Sequence, residues 1–177
     1  CMMNHKQEQM GKSFILMGVS STGKTSVGTE VAHRLGIKLI DGDDLHPRAN
    51  IIKMGEGHPL NEDRAPWLER IRDAAFSLER KSEVGSIICS SLKKKYRDLI
   101  REGNGNVKFL FLEGTFELVL ERMKQRKVHY MKTDMLKSQF ETLEVPGQDE
   151  PDVIHVDISG SFEQVVERCV EALKPLI

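Results

Sequence analysis

The chain has 177 residues, with 26 lysines and arginines against 27 aspartates and glutamates, for a formal net charge of -1. At 39% hydrophobic and 30% charged residues it reads as a soluble globular protein rather than a disordered tail or a membrane protein, and the near-neutral balance argues against a general nucleic-acid binder, whose phosphate contacts demand a basic surplus. No apolar stretch approaches the roughly 20 residues that cross a bilayer. Cys1, Cys89 and Cys169 show neither CxxC pairing nor metal-ligand spacing, so Cys89 and Cys169 read as small buried hydrophobes in a reducing, cytoplasmic setting. Residues 1–11 are polar and aperiodic and are expected to form an N-terminal tail, leaving 12–177 as one domain.

Strands and helices alternate along the chain. An apolar run at 13–17 bounded by Gly18 predicts a buried parallel strand. Val27, Val31 and Leu35 then mark a helix over 24–35 that Gly36 stops. A weaker strand at 38–40 runs into Asp41. Residues 41–66 are rich in Gly, Pro, Asp and His with no long apolar run, and so long a polar excursion in a compact domain usually binds a ligand. Pro66 suits a first helical turn, and Trp67, Leu68, Ile71, Ala74, Ala75 and Leu78 repeat at helical spacing. A third strand is expected at 86–89, then a helix with Leu92, Tyr96, Leu99 and Ile100 inward. A fourth strand at 107–112 precedes a helix marked by Phe116, Val119, Leu120 and Met123. After a basic, interrupted stretch at 124–135 come a short helix carrying Leu136, Phe140 and Leu143, a fifth strand at 153–158, and a last helix striped by Phe162, Val165, Val166, Cys169, Val170 and Leu173. Five strands separated by helices predict right-handed crossovers, a five-stranded parallel sheet covered by helices on both faces, and ligands at the carboxyl ends of the strands.

Gly18-Val19-Ser20-Ser21-Thr22-Gly23-Lys24-Thr25 matches GxxxxGK[ST] between a strand and a helix, the context in which the pattern has physical meaning. Its backbone N–H groups and the helix start, through Ser26, would hold nucleotide phosphates. Lys24 would reach the β- and γ-phosphates, and the Thr25 hydroxyl would ligate Mg²⁺. Ser21 stands where many such loops have glycine, so strain is expected there if the backbone needs φ > 0. A regulatory GTPase would need an early Asp-x-x-Gly and an NKxD motif. Asp157-Ile158-Ser159-Gly160 comes too late in the chain, and NKxD is absent.

Asp41-Gly42-Asp43-Asp44 follows the second strand, at the sheet edge where the phosphate loop lies. In solvent such a run is an ordinary Asx turn. Beside a phosphate loop, at least one of the three carboxylates is expected to orient or deprotonate an acceptor hydroxyl or to support the metal.

The string Asp41-Gly42-Asp43-Asp44-Leu45-His46-Pro47, with Asn50, Lys53-Met54, Pro59-Leu60-Asn61 and Asp63-Arg64-x-Pro66-Trp67-Leu68, resembles the gluconate kinases of the thermoresistant type. Cys89-Ser90-Ser91-Leu92-Lys93-Lys94-x-Tyr96-Arg97-Asp98, His129-x-Met131 and Ser138-Gln139-Phe140-Glu141-x-Leu143-Glu144-x-Pro146 fit the same family, so that the resemblance runs from about Ser13 to the C-terminus. It implies a three-layer P-loop fold of the nucleoside-monophosphate-kinase kind with a small lid at about 123–135. It further implies transfer of the ATP γ-phosphate to the 6-hydroxyl of D-gluconate, in a homodimer. Position by position, Asp43 is implied as the acceptor-side carboxylate and Asp41 as a support for the Mg²⁺ water shell. His46, Lys53 and Arg64 are candidates to grip the sugar acid, because a carboxylate flanked by hydroxyls calls for cations and donors. Ser90, Ser91, Lys93, His129 and Gln139 join them on the acceptor side; only one lysine of the run at 93–95 is expected to act. Arg122 and Arg126 are implied as lid arginines that answer the charge on the transferring phosphoryl. The family's Gly-His-Phe-Met reads Val128-His129-Tyr130-Met131 here, which stiffens the expected bend of the lid. Kinases of the same fold acting on shikimate or a nucleoside monophosphate are the nearest rivals, and the excursion at 41–66 resembles neither.

Overall fold

Alternation along two strands decides where the sheet lies in this computed structural model, which describes residues 11–58, 64–125 and 133–177. In β1 (Lys12–Met17), Phe14 and Leu16 join one apolar cluster while Ile15 and Met17 join another. β4 (Val107–Glu113) repeats the pattern, with Leu110 and Leu112 on the first side and Phe109 and Phe111 on the second. A strand buried on both faces requires a cover on each. With β2 (Lys38–Asp41), β3 (Val84–Ile88) and β5 (Val153–Asp157) the sheet has the order β2-β3-β1-β4-β5, every pair parallel.

On the first face lie α1 (Lys24–Leu35), α5 (Phe116–Gln125), α6 (Thr133–Thr142) and α7 (Phe162–Leu173). The second face is covered by α3 (Arg64–Arg80) and α4 (Lys94–Arg101) through Trp67, Leu68, Ile71, Ala75 and Ile100. These three layers are the expected P-loop architecture. The ends of α1 and α7 follow sequence chemistry. Gly36 closes α1 at φ 66, and Ser161 with Gln164 forms a capping box that starts α7.

The structure departs from the sequence reading in two places. The excursion at 41–66 holds a 3₁₀ turn (Gly42–Leu45) and a helix, α2 (Arg48–Gly55). Helical periodicity failed to announce α2 because Ile51, Ile52 and Met54 are 41–55% exposed rather than aimed at a core. Leu92 precedes α4 instead of lying on it, and reaches into the cluster of the opposite face. The Gly11 N–H donates to the Glu79 carbonyl at 3.0 Å.

Among the described residues, one charged side chain lies wholly inside. Arg97 of α4 has no exposure and uses all five of its N–H donors. Nε and Nη2 grip the Glu150 carboxylate at 2.7 Å each, Nη1 reaches the carbonyls of Ser91 at 2.8 Å and Leu92 at 3.1 Å, and Nη2 also reaches the Glu144 carbonyl at 2.9 Å. Arg101 supports Glu150 from the side at 2.8 Å and binds Asp152 through two further bonds. Arg97, with Arg101 beside it, holds the Glu150 carboxyl down from 4.5 to about 2.

Replacing Arg97 by leucine leaves the buried Glu150 carboxylate with only the Arg101 contact and is expected to cost about 3–5 kcal/mol in chemical denaturation. Because the folded Glu150 carboxyl lies below its unfolded value, its contribution is present above pH 4.5 and fades as pH falls toward 2. The acid limb of stability should therefore flatten in Arg97→Leu relative to the parent.

Candidate active site

The chemistry gathers where β1, β2 and β3 end. The loop after β1 begins at Gly18, whose N–H donates to the Ser90 carbonyl at 3.1 Å. A Cβ there would stand 2.8 Å from the Leu112 carbonyl oxygen, at φ 141, so glycine is what lets the loop pass β4. Ser21 adopts φ 64, the strain expected of a non-glycine in the left-handed region, about 1 kcal/mol or more. The buried Thr22 hydroxyl donates to the Val19 carbonyl at 3.0 Å, and Gly23 at φ 90 turns the chain into α1.

Lys24 folds back over this loop. Its Nζ donates to the carbonyls of Gly18 at 2.8 Å and Val19 at 2.9 Å. Burial lowers the ammonium to about 8, with the Asp43 carboxylate pulling the other way. Phosphate oxygens arriving at the same Nζ would replace carbonyl partners with charged ones.

Across the cleft, Asp41 closes the β2 strand and accepts the Asp43 N–H through Oδ1 at 3.0 Å. Gly42 packs so closely that a Cβ would lie 2.1 Å from the Ile88 carbonyl oxygen, while its own carbonyl accepts the Trp67 indole N–H at 2.8 Å. This pins the turn against β3 and projects Asp43 into the cleft. Desolvation first, and then the neighbouring Asp41 charge, raise the Asp43 carboxyl above its ordinary range; His46 and Lys24 oppose the rise. A cavity of about 280 Å³ is lined by Ser20, Ser21 and Gly23 through Ser26 on the loop side, with Asp43, Cys89 and Ser90 opposite. Burial pushes the Cys89 thiol up to about 11, so it stays protonated and inert.

His46, a candidate to grip the sugar acid, is packed inside the turn. It is 7% exposed, stacked on Trp67 with centroids 4.2 Å apart and planes at 14°, and its Nδ1 lies 3.3 Å from the Asn50 amide. Desolvation lowers its pKa, helped by the Arg64 charge and opposed by Asp43. The ring is therefore neutral at neutral pH and can offer hydrogen bonds rather than charge. The cations stand further out: the Arg64 guanidinium lies over the Tyr96 ring at 5.6 Å and the Lys93 ammonium over the same ring at 5.9 Å. Lys53 is half-buried on α2.

Two acceptor-side assignments are not met by the geometry. Ser91 is turned inward at φ 47, 2% exposed, with its hydroxyl on the Cys89 carbonyl at 3.2 Å and its own carbonyl on Arg97; Ser90 alone faces the cavity. Gln139 reaches the phosphate loop instead, where its Oε1 accepts the Ser20 N–H at 2.7 Å. Arg126 and His129, with most of the expected lid at 123–135, lie outside the described residues. Arg122 is on α5 and donates to the Gly160 carbonyl at 2.8 Å. It lines a second cavity of about 360 Å³ with Thr22, Gly23, Gln125, Ser161 and Phe162, next to the loop. Gln125 and Phe162 carried no signal beyond helical periodicity.

The donor set suits a hard divalent cation. Thr25 offers an exposed hydroxyl at the cavity, and the half-buried Asp41 carboxylate caps the adjacent turn. Mg²⁺ asks little more of a protein, because it keeps several waters and takes the rest of its shell from substrate phosphates.

Comparison with known proteins agrees with this geometry. The shikimate kinase family model matches residues 20–174. The thermosensitive gluconokinase of Escherichia coli K12 is 54% identical over 164 residues, covering 92% of this chain and 88% of its own. The thermoresistant gluconokinase of the same organism is 53% identical over 162 residues, covering 91% and 93%. The two are matched almost equally, so the resemblance to the thermoresistant type holds at the level of the family. The crystal structure of a gluconokinase from Sinorhizobium meliloti 1021 superposes with a TM-score of 0.82 at 40% identity, covering 93% of both chains. A phosphate loop facing a strand-end carboxylate, on a three-layer P-loop fold and with half of its residues shared along most of its length, marks this chain as a member of the gluconokinase family of kinases.

Proposed function

We propose that the protein transfers the γ-phosphoryl group of ATP to the 6-hydroxyl of D-gluconate, giving 6-phosphogluconate and ADP in gluconate or idonate catabolism. The observation that carries this reading is the pairing of Lys24 and Asp43 across one cavity in a chain 54% identical to a gluconokinase. Residues 12–177 would act as one kinase domain.

In this reading the phosphates lie along Gly18, Val19, Ser20, Ser21, Thr22 and Gly23 and against the start of α1 through Ser26, where N–H groups and the helix dipole favour anions. Lys24 bridges the β- and γ-phosphates. Asp43 accepts the proton of the attacking hydroxyl; its raised pKa brings its basicity nearer to the working pH. Neutral His46 and the Ser90 hydroxyl offer hydrogen bonds to sugar hydroxyls. Lys53, Arg64 and Lys93 supply the positive field for the carboxylate, with His129 completing that side. Arg122 and Arg126 close over the nucleotide and the transferring group, where bidentate guanidinium contacts match the charge spread over equatorial oxygens. Mg²⁺ held through Thr25 and the water shell near Asp41 supplies charge neutralisation for the phosphates. A homodimer in the cytoplasm belongs to the same proposal; the buried free thiols of Cys89 and Cys169 suit a reducing compartment.

The shikimate kinase match favours one competing acceptor, another hydroxylated carboxylate. ADP release measured with gluconate, idonate, shikimate and AMP separates the two readings. Gluconate-dependent release supports the proposal, and shikimate-dependent release without it overturns the proposal.

Asp43→Asn should lower kcat by about 10²–10⁴-fold while ATP affinity stays nearly unchanged; a matching loss of ATP binding would remove Asp43 from the acceptor side. The pH profile tests its environment. Catalysis needs the Asp43 carboxylate, so kcat/KM falls as pH drops through its raised pKa. Asp41→Asn keeps the turn's cap but removes a neighbouring negative charge, and the acid limb should move to lower pH. An unmoved limb would assign it to another group.

A further inference from the structure

The apolar stripe of α6 carries one polar residue. Leu136 has no exposure, Phe140 meets Phe116 edge-on at 5.5 Å between centroids, and Leu143, just past the helix, packs against both apolar clusters. Gln139 lies between these at i+3 from Leu136, on the same side of the helix. A polar group on an inward stripe must find a partner, and it does so outside its own element. Its Oε1 accepts the backbone N–H of Ser20, the third residue of the phosphate loop, at 2.7 Å.

The other end of the same segment is fixed to the acceptor side. The Glu144 N–H donates to the Leu92 carbonyl at 2.8 Å, its Oε1 accepts the Lys94 N–H at the start of α4 at 2.7 Å, and its carbonyl receives Arg97 at 2.9 Å. Residues 139–144 thus touch the loop that would hold the donor and the loop that would hold the acceptor. The five-residue step between the two contacts spans about 7.5 Å where it is helical, too short to flex independently at each end.

We propose that Gln139 is a positioning residue. Through it α6 holds the phosphate loop at a fixed offset from the acceptor loop at 90–93, so that nucleotide binds a preformed cradle. The Ser20–Ser21 peptide is where such support matters, because Ser21 is held at φ 64 against its local preference. Helix starts leave their first N–H groups without intrahelical partners, and the first α1 bond runs from the Val27 N–H to the Gly23 carbonyl. The donors from Gly23 to Ser26 therefore remain for phosphate, while the Ser20 donor serves the architecture. This assigns Gln139 a task away from the sugar and deepens the kinase reading given above, on which its kinetic form rests.

Gln139→Met keeps the length and the apolar stem but removes the acceptor. The variant should bind a non-hydrolysable ATP analogue about five- to tenfold more weakly in calorimetry, the loss expected for one preorganising hydrogen bond. KM for gluconate should stay within about twofold. A merely structural role would lower Tm and the active fraction while leaving both substrate constants alone, so thermal melting is measured on the same preparations. Unchanged nucleotide affinity in folded Gln139→Met would overturn the proposal, and so would equal weakening toward both substrates. Tighter nucleotide binding would overturn it too, because the amide would then be a competitor standing in the place of a phosphate oxygen. If the parent protein binds the analogue but fails to phosphorylate gluconate, the substrate reading has failed, and the calorimetric comparison still judges Gln139.

Discussion

A guanidinium with no exposure and five satisfied donors fixes the geometry on which the cleft depends. Arg97 ties the carbonyls of Ser91 and Leu92 to the Glu144 carbonyl and the Glu150 carboxylate. It thereby joins the loop after β3 to the segment that precedes β5. A buried ion pair gives little net stability against an apolar alternative; its value here is directional. A carbonyl can be held at a chosen place only by a donor that cannot rotate away, and the planar fork of arginine is such a donor. Ser90 faces the cavity and Ser91 does not because the backbone between them is bolted from behind at φ 47.

The cleft itself is a balance of charges that burial pushes toward neutrality. Desolvation lowers Lys24 and raises Asp43, and each opposes the other's shift. An unliganded site with these two groups partly compensating one another costs less than either alone. A nucleotide then meets an ammonium already stripped of much of its water. The net charge of -1 for the whole chain includes this local opposition of acid turn and basic loop, and a uniformly negative surface there would repel phosphates.

Local chemistry was legible in the sequence and distant pairing was not. The phosphate loop, the strand before it and the helix after it are contiguous, so pattern and spacing identify them together. The acidic turn could be placed because parallel strands deliver their loops to one edge. Arg97 could not be read, since a basic residue in Lys93-Lys94-Lys95-Tyr96-Arg97 looks like a solvated helix start until Glu150 is brought beside it. The burial of His46 was hidden for the same reason: the indole that covers it belongs to another element. Gln139 left a trace that a stricter reading of the stripe would have caught, a polar residue at a position where periodicity demands an apolar one. α2 left none, because its apolar residues face outward.

The indole of Trp67 has a further meaning. It is the chain's one tryptophan, it lies under the His46 ring, and it bonds the carbonyl of the glycine beside Asp43. All of the protein's tryptophan emission therefore originates from beneath the turn that carries Asp43. Light absorbed there is sensitive to the ring stacked on it and to the strength of one hydrogen bond. The molecule carries a built-in optical probe of the turn that presents Asp43, and needs no label to report when that turn moves.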